Sequence, residues 1–211
     1  KKTNYRYFLR LFKIYIFKHI LKKSSLAISS FVPKVLKKYS IDQDKLLHIT
    51  NGIDEKIIKK YNNKVRNDCN NKFIITYVGY VYYKERGIRN AILALNRVMQ
   101  KHNNVLLNII GGGPDKEVLQ VEKLINKLNI KDKVNLTGYI NHTSVLEYLN
   151  KTDICIYPFP TKKSLEYIYP IKIFEYMAMG KAIIASNHNG IREIIKNKIN
   201  GLLFNPEDPN D

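Results

Sequence analysis

A chain of 211 residues in which 45% are hydrophobic can bury a sizeable core, and the length allows one domain, or one domain with part of a second, while the composition excludes a wholly disordered chain. The formal charge of +18 is uneven: residues 1–66 carry 17 Lys and Arg against four Asp and Glu, whereas residues 67–211 carry 19 against 14. Such an excess attracts nucleic acid, anionic lipid or an acidic substrate through the same long-range field, and nucleic acid ranks last because no arginine-rich run interleaved with aromatics and no nucleic-acid motif accompanies it.

Residues 5–23 read as a basic, apolar-rich helix. Its apolar stretch from Tyr7 to Leu21 is broken by Arg10, Lys13 and Lys18, a charge density too costly for a membrane span. Two placements stay open: on an anionic membrane surface with Lys22 and Lys23 at the interface, or packed within a domain that is only partly present. A short strand is expected over residues 26–30, then a helix after Pro33 ending near Tyr39. Residues 46–50 read as a strand closed by the Asn51-Gly52 turn, since both residues tolerate positive φ. Residues 55–71, rich in Lys and Asn, read as an exposed connector. The chain begins at Lys1 and stops at Asp211 just after a strand-like segment, so both ends are expected to be cut, and an upstream targeting signal stays open.

From residue 72 strands and helices alternate: strands at 73–79, 105–110, 134–137, 153–157, 182–186 and 202–204, with helices at 87–101, 115–128, 144–150, 171–179 and 191–196 between them. The first of these helices places Ile88, Ile92, Leu95 and Met99 on one face; the second gathers Val118, Val121, Leu124, Ile125 and Leu128. The runs Ile74-Ile75-Thr76-Tyr77-Val78 and Leu106-Leu107-Asn108-Ile109-Ile110 are apolar toward both faces, as strands covered by helices on two sides must be. The expected fold is therefore α/β, a doubly wound parallel sheet of Rossmann-like type, with ligands at the carboxyl ends of the strands. The two cysteines, Cys69 and Cys155, lie far apart, and Cys155 sits in the apolar run Ile154-Cys155-Ile156. A buried, unreactive thiol in a reduced, cytoplasmic protein is expected.

Three strand ends carry candidate chemistry. After the first strand, Gly79 permits a tight exit, and Lys84 or Arg86 at the following helix start could grip a diphosphate, arginine bidentately; ordinary solvated surface charge is the competing reading. The run Gly111-Gly112-Gly113-Pro114-Asp115 lets backbone approach a ligand and sets Asp115 to cap a helix, but a tight strand-to-helix turn needs the same glycines. In the third, Pro170 suits a first helical turn and Gly180 a left-handed stop. The N–H groups of Ile171, Lys172 and Ile173 would be unpaired donors, an anion site reinforced by the Lys172 ammonium. Glu175, one turn deeper, is either a paired structural carboxylate or a ligand for hydroxyls such as those of a ribose.

Taken in order, these segments resemble the group 1 glycosyltransferases of the GT-B fold. The matching pieces are Asn51-Gly52-Ile53-Asp54, Tyr77-Val78-Gly79 with Lys84-Glu85-Arg86-Gly87, Ile109-Ile110-Gly111-Gly112-Gly113-Pro114, Leu136-Thr137-Gly138-Tyr139, Thr152-Asp153-Ile154, Lys172 through Lys181, and Asn200-Gly201-Leu202-Leu203-Phe204. The resemblance implies two Rossmann-like domains facing across a cleft, the second holding a nucleotide-diphosphate sugar whose glycosyl group moves to a glycan or lipid-linked acceptor with retention of configuration, without metal or other cofactor. It implies that residues 1–50 are a remnant of the acceptor-side domain, 51–71 a connector and 72–211 the donor domain, so that this piece alone is inactive. By position, Glu175 matches the ribose-binding glutamate, the amides of Ile171 and Lys172 after Pro170 match the diphosphate contacts, and Arg86, or Lys84, matches the cation that neutralises the leaving diphosphate. Gly138, Tyr139 and Ile140 match the segment against the base.

Two departures bear on the donor. Eight positions before Glu175, where the family has a glutamate facing the sugar, stands Tyr167, with Glu166 one step out of register. Directly after Gly79, where the family commonly has arginine, stands Tyr80. The resemblance also implies a role in cell-surface polysaccharide synthesis, at the inner face of the membrane if residues 5–23 dock there. Two alternatives are a nucleotide-sugar epimerase of the same fold and a non-catalytic nucleotide-binding module. The epimerase is disfavoured because His142 and His188 are expected in turns without an acidic neighbour.

Overall fold

The computed structural model describes residues 15, 16, 19, 27–29, 46–61 and 72–208. The expected helix after Pro33, the stretch 62–71 with Cys69, and most of the basic helix at 5–23 lie outside the described residues, although Tyr15, Ile16 and His19 are helical. Strands β1 (Ala27–Ser29) and β2 (Leu46–His48) pair in parallel as a two-stranded sheet. Helix α1 (Glu55–Tyr61) occupies part of the expected connector. Composition hid it: Lys and Asn dominate the stretch, but Asp54 Oδ1 accepts the Lys56 amide at 2.9 Å, as a helix-capping aspartate does. Glu55 and Lys59 pair one turn apart at 2.9 Å, and Tyr61 is buried.

The rest alternates as periodicity predicts. In order come β3 (Phe73–Val78), α2 (Ile88–Met99), β4 (Val105–Ile110), α3 (Asp115–Lys127), β5 (Val134–Leu136), α4 (His142–Lys151), β6 (Ile154–Tyr157), α5 (Ile171–Ala178), β7 (Ala182–Ser186), α6 (Asn189–Ile194) and β8 (Leu202–Phe204). All six strands from β3 onward are parallel, in the spatial order β5-β4-β3-β6-β7-β8. The chain winds outward from β3 to β5, returns to lay β6 beside β3, and winds out the other way. That reversal is the topological switch point, where ligands of open α/β sheets bind.

Packing follows the apolar faces. Ile88, Ile92 and Leu95 of α2 and Val121 and Ile125 of α3 are buried, with Met99, Val118, Leu124 and Leu128 packed against them. Cys155 in central strand β6 is a buried free thiol, and burial pushes its pKa up, away from the reactive thiolate. Three helices start off the expected residue, α2 at Ile88, α4 at His142 and α6 at Asn189, and one expected cap is displaced. Asn141 Oδ1 accepts the Ser144 amide at 2.8 Å, so α4 begins earlier than residue 144. Asp115 does not cap α3; Pro114 holds that position without a side-chain bond, and Asp115 is the first helical residue, where its charge complements the helix dipole.

At the switch point β3 and β6 diverge. On one edge of β3 the Phe73 and Gly79 amides donate to Asn104 O at 2.8 Å and Ile110 O at 2.9 Å, continuing the pairing with β4. On the other edge, pairing with β6 covers only Ile75 with Ile154 and Thr76 with Cys155. The Val78 amide, past the end of that ladder, donates instead to the Tyr176 hydroxyl of α5 at 3.0 Å. A buried N–H without a partner would cost about 1–3 kcal/mol, so this bond ties α5 to the gap between the strands. Among the described residues, no helix is long and apolar enough to cross a membrane.

Candidate functional site

The loops after β3, β4 and β5 are knitted backbone to backbone. Val81 N donates to Gly112 O at 2.9 Å, and Gly111 N to Gly138 O at 3.1 Å. A Cβ at Gly111 would stand 2.1 Å from Gly79 O, and one at Gly113 2.0 Å from Val81 O. The three-glycine run thus serves close packing between neighbouring loops, which accounts for it without any ligand.

The loop after β3 also meets the loop after β6. Gly87 has φ 71°, and a Cβ there would fall 1.5 Å from Pro158 O; Lys162 and Glu85 bridge the same two loops at 3.5 Å. One residue before this contact, the Arg86 guanidinium lies 4.7 Å over the Phe159 ring. Phe159 stacks on Tyr157 at 3.9 Å between ring centroids and neighbours Tyr77, so the cation rests on a buried aromatic floor, a favourable cation–π arrangement. Burial pushes the Tyr77 and Tyr157 phenols above the ordinary range, and the Arg86 charge opposes that rise in both. Among the described residues no carboxylate lies within salt-bridge distance of Arg86. Lys84, by contrast, is exposed.

Helix α5 runs from Ile171 to Ala178; Pro170 caps it from outside instead of sitting in its first turn, and Gly180, two residues past its end, has the expected left-handed φ of 62°. Of the three amides expected to be unpaired, that of Ile173 donates to Pro170 O at 3.1 Å, closing the first turn, and only those of Ile171 and Lys172, heading the helix, have no intrahelical acceptor. Glu175 is buried, and both its oxygens are engaged: Lys172 Nζ lies 2.7 Å from Oε2, and His142 Nε2 3.3 Å from Oε1. Of the two readings left open for this carboxylate, the structure displays a paired group, and the Lys172 ammonium expected at an anion site is turned toward it.

The histidine expectation is corrected here. His142 is the first residue of α4 and has Glu175 as an acidic neighbour, because α4 and α5, distant in sequence, both begin at the carboxyl edge of the sheet. His188 is buried ahead of α6, its Nε2 3.1 Å from Phe159 O. Spacing within α4 held no signal for the His142 contact, since the partner lies 33 residues away. Phe159, in the Tyr157-Pro158-Phe159-Pro160 run, was equally unassigned; its apolar surroundings predict burial but not the guanidinium above it.

The remaining candidates fall in two groups. Tyr80 and Tyr139 are exposed and meet edge to face at 5.9 Å, and a hydrogen bond to Tyr80 raises the Tyr139 phenol above its ordinary range. Gly138, with φ 66°, sits beside them, and Ile140 packs partly into the core. On the β6 side, Glu166 is engaged twice: its carboxylate accepts from Asn189 Nδ2, and its carbonyl accepts the Gly190 amide at 2.8 Å. Tyr167 is half-buried in the same loop. Among the described residues no group of three or more His, Cys, Asp or Glu is placed to hold a metal ion.

Residues 59–211 match the family model for glycosyl transferases group 1. An uncharacterized glycosyltransferase of Methanocaldococcus jannaschii is 28% identical over 191 residues, covering 85% of this chain and 46% of that protein. The amylovoran biosynthesis glycosyltransferase AmsK of Erwinia amylovora is 31% identical over 147 residues, covering 69% of this chain and 35% of that protein. The chain therefore spans about half the length, or less, of these curated relatives. Among solved structures, sucrose-phosphate synthase from Thermosynechococcus elongatus superposes with a TM-score of 0.71 at 22% identity, covering 93% of this chain and 49% of that one. HepE from Anabaena, in complex with UDP and glucose, gives 0.69 at 18% identity, covering 93% and 54%. The solved structures attest the fold, the GT-B Rossmann-like architecture; the family match covers most of the chain and the whole six-stranded sheet, so the chain belongs to the group 1 glycosyl transferases.

Proposed function

We propose that this chain is the donor-binding part of a retaining glycosyltransferase that moves a sugar from a nucleotide-diphosphate donor to a glycan or lipid-linked acceptor in cell-surface polysaccharide synthesis. The observation that carries the proposal is Arg86: a guanidinium without a carboxylate partner among the described residues, held on Phe159 at the switch point. A cation so placed meets the charge that develops on the leaving diphosphate, and preorganised donors of this kind lower the barrier for such steps. The Ile171 and Lys172 amides behind Pro170 would bind the same diphosphate. Glu175 would accept the ribose hydroxyls, and the segment Gly138, Tyr139 and Ile140 would lie against the base, with Tyr80 alongside.

Family membership and the AmsK relative, named for amylovoran biosynthesis, support the polysaccharide role, and HepE, solved with UDP and glucose, supports a nucleotide donor. The proposal assigns no metal or other cofactor, since Arg86 and the helix amides answer the diphosphate charge. It places residues 1–50 with the acceptor side, 51–71 as connector and 72–211 as donor domain, so that transfer requires the remainder of the enzyme. It places the enzyme in the cytoplasm, with residues 5–23 either against anionic lipid at the inner face of the membrane or packed within the acceptor-side domain.

Calorimetric titration of UDP and GDP tests it. Loss of hydrogen bonds to a charged group is worth about 1.5–3 kcal/mol, so Glu175→Ala should weaken binding roughly tenfold or more. An unchanged affinity would sink the ribose assignment.

A further inference from the structure

The second neighbour of Glu175 has no part in the reading above. His142 Nε2 stands 3.3 Å from Oε1 while Lys172 Nζ holds Oε2 at 2.7 Å. The imidazole is 52% exposed, whereas the carboxylate side chain is 7% exposed, so the histidine is the wet member of the pair. As a stabilising ion pair it has little to offer: the buried charge is already met by Lys172, and contacts at half-exposed groups contribute weakly. Its geometry matters more. A carboxylate has about four lone-pair positions, and one donor on each oxygen sets its plane without exhausting them. Without the second donor the terminal torsion of a glutamate is broad, and Lys172 alone leaves it free to turn.

We propose that His142 is a positioning residue of the donor site: together with Lys172 it orients Glu175 so that the remaining lone pairs receive the vicinal hydroxyls of the nucleotide pentose. This rests on the ribose role assigned to Glu175. Either the Nε2–H tautomer or the imidazolium donates to Oε1, and Lys172 and Glu175 are its charged neighbours in the cluster. Holding the acceptor in place before the ligand arrives spares the ordering cost at binding.

The test is calorimetric titration of UDP and GDP and of their 2′,3′-dideoxy forms into the intact protein, comparing wild type with His142→Ala, His142→Gln and Glu175→Ala, with thermal unfolding measured in parallel. His142→Ala should weaken ribonucleotide binding about tenfold, leave dideoxynucleotide binding unchanged, and leave the melting temperature unmoved. His142→Gln, whose amide can donate, should recover most of the loss. The positioning role is overturned if His142→Ala weakens both forms equally or neither, while Glu175→Ala still lowers the preference for the ribonucleotide. If Glu175→Ala leaves that preference intact, or wild type binds neither form, the donor-site reading itself fails and this inference with it.

Discussion

The loops after β3, β4 and β5 and the unit formed by the β6 loop with α5 share one edge of the sheet but are held by different means. The first group is held by main chain: glycines bring carbonyls within reach of places where no side chain fits. The second adds side chains to a single main-chain contact, Gly190 against Glu166 O, with Glu175, Lys172 and His142 joined and Tyr176 closing the gap in the sheet. The glycine run, which in sequence fits a tight turn as well as a ligand cradle, packs neighbouring loops together, and the paired charged side chains collect where the strands part company. Arg86 and Gly87 lie where the two regions touch.

Substitutions on either side should therefore fail differently. The largest effect is expected from Gly87→Ala, which places a Cβ 1.5 Å from Pro158 O at φ 71°. Left-handed backbone and overpacking together suggest roughly 3 kcal/mol or more, read as a lowered denaturation midpoint or insoluble protein. Next, Arg86→Ala should lower kcat of the complete enzyme roughly 100-fold or more with only about 0.5–1 kcal/mol of lost stability from the cation–π contact. A large loss of stability with unchanged turnover would reverse the assignment of the two regions. Gly138→Ala sharpens the contrast: its φ is 66° but nothing stands within 4 Å of a new Cβ, so only the backbone cost of about 1–2 kcal/mol applies. The smallest effect concerns Cys155, whose burial raises its pKa. Mass spectrometry after alkylation at neutral pH should find the Cys155 peptide unmodified until the protein is unfolded.

Much of this was legible in the residues. The 3.6-residue spacing of Ile88, Ile92 and Leu95 and the two-sided apolar strands predicted both elements and burial. Pro170 and Gly180 bounded α5 because each has few other places to go. Helix α1 was not legible, since its Lys and Asn content resembles a linker and its stability draws on a cap, an ion pair and buried Tyr61. The role of Asp115 was misjudged because Pro114 takes the capping place.

By itself, the order of residues determined the alternating elements, the doubly wound class and the family, because periodicity, turn chemistry and the block from Lys172 to Lys181 are local properties of the chain. Only the tertiary structure decided which charges are spoken for. Lys172 and His142 hold Glu175, Glu166 is committed to Asn189, and Arg86 lies over Phe159. The winding of the sheet brings helix starts from distant parts of the chain to one edge, and pairing between groups so far apart in sequence has no local signature.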